Sequence, residues 1–172
     1  MRPQRGSWWS AEVDGVLESF EALQGLVVSE PLGPTEDVAE RLAALVPVQV
    51  GLSRGVVGSV DWELFRGGLL YAANALEKAH SLFQEATSPE GAYWHGMLHR
   101  REGDFSNALY WVRRAGPLPA LAGLVAFSPT AFIAECAAAA TRRTAPPQLL
   151  EAQRSEWEAL MLWSWRRLET LG

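Results

Sequence analysis

Apolar residues recur three and four positions apart along nearly the whole chain, the spacing that puts them on one face of a helix. Val13, Val16, Leu17, Phe20, Leu23 and Leu26 form the first such face, with Ser10 as its cap and Glu12 and Asp14 in the first turn. Residues 1–9 precede it as a loose arm carrying Trp8 and Trp9. After a Pro/Gly turn at 29–34, Thr35 caps a second helix with Val38, Leu42 and Leu45 as its stripe, and Pro47 stops it. In 47–59 Val48, Val50 and Leu52 alternate like a strand, but nothing in the chain offers a partner strand. An ordered, partly buried loop is expected there. Ser59 caps the next helix, Asn74 interrupts it, and 75–86 follows. Ser88-Pro89 pairs an N-cap with a first-position proline and opens a helix to Glu102. Gly103 turns the chain, Asp104 caps a helix over 105–115, and Gly116-Pro117 ends it. A short helix within 118–126 is expected, then a helix from Ser128-Pro129 to about Arg142 and a linker at 145–147. The last helix, 148–171, aligns Leu150, Trp157, Leu160, Met161, Ser164, Leu168 and Leu171, with Trp163 and Trp165 widening the apolar surface. Such a helix is covered on two sides or offers a surface to a partner. These elements predict one all-α domain over 1–172, built from about seven helices.

Within this array, residues 60–86 and 89–115 correspond at an offset of 29. Gly67 matches Gly96, and Asn74 matches Gly103; both latter residues tolerate a left-handed turn. Leu76, Ala79, Phe83 and Ala86 match Phe105, Ala108, Val112 and Ala115. Two copies of one helical hairpin are therefore expected, stacked so that each buries the other's face.

This pattern resembles the tetratricopeptide repeat over residues 60–119. Gly96, Gly103-Asp104-Phe105, Ala108 and Ala115 match that family's helix glycine, its turn and its small residues. Pro117 and Pro119 fall near where the family ends a repeat. The spacing is shorter than the family's usual value of about 34. His95 and His99 stand where the family usually has Leu and Tyr. The resemblance implies a helical-hairpin scaffold. Tyr93 to Trp111 is also similar to a group of small helical proteins of unassigned function. They share H-x-x-x-H-R-x-E-G-D followed by Tyr-Trp, with an Ala-His such as Ala79-His80 on the preceding helix. That likeness spans about 60–165 and implies a shared fold but no activity.

Composition narrows the function classes. A net charge of −5, with no basic run, argues against a nucleic-acid partner. The single cysteine, Cys136, excludes a disulfide within the chain. It lies in an Ala-rich apolar helix as a small buried hydrophobe, which fits a cytoplasmic setting. The N-terminus lacks a secretory signal core. Residues 115–134 carry no charge, yet Pro117, Pro119 and Pro129 divide them into two short buried helices rather than a membrane span.

The candidate chemistry is concentrated in the three histidines, His80, His95 and His99. His95 and His99 are i, i+4 and share a helix face. Ser88 stands midway between His80 and Gly96, so a hairpin turning there brings His80 level with the other two. Glu102 is placed to orient a histidine. Two arrangements follow from these residues: a three-histidine centre for a divalent metal such as zinc, or hydrogen-bonded packing histidines. The second would leave a metal-free groove lined by His80, Tyr93, His95, His99, Arg100 and Glu102, fitted to a carboxylate or peptide end. Arg100 is otherwise expected to pair with Glu102 or Asp104. Arg100-Arg101, Arg113-Arg114, Arg142-Arg143 and Arg166-Arg167 fall near predicted helix C-termini, where cations oppose the helix dipole. There is no P-loop, and no catalytic residue is assigned. These features favour a non-enzymatic scaffold without cofactor, binding a peptide or protein, or itself as a homodimer. The alternative is a metal-binding or metal-dependent enzymatic site.

Overall fold

The structure is a computed structural model that describes residues 36–171. Those residues form seven α-helices and no strand: α1 (Glu36–Ala43), α2 (Val60–Ala72), α3 (Leu76–Glu85), α4 (Pro89–Glu102), α5 (Phe105–Ala115), α6 (Pro129–Arg142) and α7 (Pro147–Leu171). The expected helix over 10–26, the Trp8-Trp9 arm and the Thr35 cap lie outside the described residues.

Helix starts follow from the capping residues. The side-chain oxygens of Ser59, Ser88, Asp104 and Ser128 accept from the backbone N–H of Trp62, Gly91, Asn107 and Ala131 at 3.2, 3.0, 3.0 and 3.4 Å. Each satisfies a donor that the first turn leaves open. Asn74 and Gly103 end α2 and α4 with φ of 59° and 84°. The closing bonds match: Ala75 N–H donates to Leu70 O, and Asp104 N–H to His99 O, both at 2.9 Å. Expectation and structure part in one segment. Residues 118–126 hold only a 3-10 turn at Pro119–Leu121, after which the chain bends away and reaches a left-handed Ala126 at φ 56°. Residues 47–59 are the ordered, partly buried connection expected, with 3-10 turns at Pro47–Val50 and Arg54–Val56 and with Val50, Leu52 and Val56 buried.

Helix α4 is the centre of the fold, buried on all sides from Gly91 to Arg100. It packs against α3 before it and α5 after it; α2 packs on α3 and α7, and α6 joins α5. Gly96 permits the α4–α5 approach, because a Cβ there would lie 2.8 Å from Val112 Cγ2 and 3.1 Å from Ala108 O. Gly67 plays the same part towards Phe83 on α3. The long α7 returns across α2, where the Trp157 indole donates to Gly68 O at 2.9 Å and a Cβ on Gly68 would collide with Met161. Trp157, Leu160, Met161, Trp165 and Leu168 of α7 thus join one core with Trp62, Phe65, Leu69 and Trp94. A satellite cluster of Phe132, Cys136, Ala139 and Leu149 links α6 to the start of α7. Leu171, expected on the buried stripe, is exposed. Arg166-Arg167 lie before the last turn of α7, and Arg167 Nε donates to Asp61 at 2.7 Å, tying α7 to the start of α2. Among the described residues no helix is long and apolar enough to cross a membrane.

Candidate metal centre

The faces of α4 serve different neighbours. Gly96 meets α5, Trp94 meets Phe83 of α3, and Tyr93 and Arg100 turn towards α7. His95 and His99, one turn apart, occupy the remaining face. The α3–α4 connection at 86–88 brings His80 of α3 beside them. His80 Nε2 lies 2.8 Å from His95 Nε2. The imidazole centroids are 4.7 Å apart for His80–His95 and His95–His99, and 5.5 Å for His80–His99. One nitrogen from each ring lies within 4.8 Å of the others. No carboxylate or thiolate joins this group among the described residues.

The surroundings hold the rings in place. The close α4–α5 packing at Gly96 lets Trp111 stack on His95, with centroids 4.2 Å apart and planes 25° from parallel. Arg114 lies over the same indole at 5.3 Å. Glu102 Oε2 accepts from His99 Nδ1 at 3.2 Å, which directs the other nitrogen of that ring away from the carboxylate. His95 and His99 are 7% and 9% exposed, whereas His80 is half-buried, so the cluster opens on the His80 side. Burial, then the neighbouring His99 and His80, push the His95 pKa down to about 4. His95 is therefore a neutral imidazole at physiological pH, the protonation state a ligand needs.

Tyr93 and Arg100, expected in the same groove, lie elsewhere. Both are enclosed against α7 with Glu156, which is fully buried. Arg100 forms a two-pronged pair with Glu156, Nη1 donating at 3.0 Å and Nη2 at 2.5 Å, in place of the expected Glu102 or Asp104. The Tyr93 hydroxyl donates to the same carboxylate at 2.6 Å. The Arg100 guanidinium also lies over the Phe132 ring, 4.5 Å from its centroid. Burial and the adjacent Glu156 charge raise the Tyr93 pKa well above its ordinary value. Burial alone would lower Arg100, but the Glu156 carboxylate and its hydrogen bonds outweigh it and hold the guanidinium charged. This knot joins α4 to α7 and is shut off from solvent. No motif marks Glu156 in the sequence, although Gln153, Glu156 and Leu160 follow helical spacing on the apolar side of α7. A carboxylate on such a stripe requires a buried cation opposite.

No family model, no curated protein and no solved structure matches this chain.

Proposed function

We propose that the protein binds one divalent metal ion, of which zinc is the best fit, through His80, His95 and His99. The observation that carries this reading is the convergence of three imidazoles from two helices, one nitrogen each within 4.8 Å. Packing histidines serving a peptide groove would stand well apart. Here they crowd together, and two of the six expected groove residues are sealed under α7. Zinc–nitrogen bonds of about 2.0–2.1 Å in a tetrahedral set put ligand nitrogens roughly 3.4 Å apart. With the nitrogens within 4.8 Å of one another and the His80–His95 pair at 2.8 Å, the rings need shifts of up to roughly 1.4 Å to reach that spacing. The Glu102–His99 contact adds the carboxylate that commonly orients and polarises a ligating imidazole.

Binding would clip α3 to α4 through side chains rather than backbone. A metal held this way stabilises the folded chain by an amount that grows with the logarithm of its free concentration. The test is elemental analysis of untagged protein, loaded with zinc and desalted. One equivalent per chain is expected, lost in His80→Ala, His95→Ala and His99→Ala variants that retain wild-type helical circular dichroism. Absence of stoichiometric zinc from the folded wild-type protein overturns the proposal and returns the histidines to a packing role.

A further inference from the structure

Imidazole ligates without charge, so three such ligands leave the charge of a bound dication uncompensated. Among the described residues Glu102 contacts the cluster, and it is engaged at His99 Nδ1. His95 and His99 are almost fully buried, so water screens that charge poorly. A charge so placed favours an anionic partner in direct contact. A tetrahedral ion with three protein ligands also keeps its fourth position for an exogenous group, the arrangement that distinguishes open zinc sites from closed structural ones. Trp111 covers one face of His95, and α3 and α4 enclose the cluster, leaving the side beside the half-buried His80. A ligand for the ion would approach beside His80, past Trp111 and the two helices, a route that favours a small one.

From this geometry we infer that the three-histidine centre is an open site that takes a small monoanion as its fourth ligand, entering beside His80. The inference rests on the metal reading above and adds to it the class of ligand that completes the site. It also separates the centre from a purely structural clip, which would be saturated by protein donors and indifferent to added anions.

The experiment uses cobalt(II) as a spectroscopic stand-in for zinc and azide as the anion, with the full chain. Protein loaded with cobalt and desalted is expected to hold one equivalent and to show visible absorption bands. Azide is expected to shift those bands saturably while the cobalt stays with the protein through a second desalting step. The His80→Ala/His95→Ala variant, folded by circular dichroism, is expected to show neither the bands nor the shift. Stoichiometric cobalt whose bands do not respond to azide overturns the open site while leaving the metal reading intact. Loss of cobalt on azide addition, or an equal azide response in the double variant, also overturns it. Failure of the folded wild-type chain to take up cobalt or zinc removes both readings together.

Discussion

Replacing Glu156 with Gln keeps the shape of the side chain and one acceptor for Tyr93, but removes the charge that faces Arg100. Arg100 is 1% exposed and Glu156 0%, so neither solvent nor a surface carboxylate can substitute for the lost partner. Breaking a buried ion pair on one side typically costs about 3–5 kcal/mol, because the remaining charge stays desolvated. The fork geometry, and the Tyr93 bond to the same carboxylate, place this pair within that range. For a domain of this size each kcal/mol lowers the melting temperature by about 2–4 °C, so Glu156→Gln should melt roughly 6–20 °C below wild type. Urea unfolding followed by far-UV circular dichroism gives the free energy directly, with unchanged slope if the compactness of both states is unaltered. The Tyr93→Phe/Arg100→Met/Glu156→Leu variant removes both charges and the donor together. It should recover most of the loss, since well-packed apolar replacements of buried pairs are often neutral. A loss below about 1 kcal/mol in Glu156→Gln would refute the reasoning, because it would mean the Arg100 charge is solvated by another route.

Gly96→Val should destabilise by about 1–3 kcal/mol through overpacking at Val112 and Ala108, while Gly96→Ala loses less because alanine regains about 1 kcal/mol of helix propensity. Thermal melts of the two variants test this order, and a more stable Gly96→Val would contradict the close α4–α5 approach. Burial, only partly offset by Arg100, pushes the Cys136 thiol up to about 11, so native protein at pH 8 should resist a thiol-specific disulfide reagent and react fully once unfolded. Prompt labelling of the native chain would show that the α6–α7 satellite core opens readily. If Glu102 orients His99, Glu102→Gln should weaken zinc binding by about 10–100-fold without altering stoichiometry. Competition with a chromophoric chelator measures that change, and unchanged affinity would leave Glu102 as a helix-end surface acid.

Local chemistry made much of the architecture legible in advance. Ser59, Ser88, Asp104 and Ser128 cap the helices they were expected to cap, because an N-cap bond spans only three residues. Asn74 and Gly103 take the left-handed conformation that their small or polar side chains permit. The failures were local as well. The apolar run before Ser128 reads as a helix by composition, but the backbone bends after Leu121 and passes through a left-handed Ala126, leaving a single 3-10 turn. The histidine cluster lay between these cases. His95 and His99 share a face by helix geometry alone, whereas His80 joins them through a short hairpin whose turn the sequence marks at Ser88-Pro89.

By itself, then, the sequence determined the helices, their caps and the level at which His80 meets His95 and His99. All of these depend on bonds and turns spanning a few residues. The tertiary structure decided which face of α4 meets which neighbour. It sent Tyr93 and Arg100 to a carboxylate 56 residues beyond Arg100, under α7, and kept His95 and His99 with His80 beneath Trp111. A helix repeat specifies the angle at which each side chain leaves the axis, but not what stands opposite. That follows from packing α7 across α2 and α4, where burying a charge is tolerable only against its counter-charge.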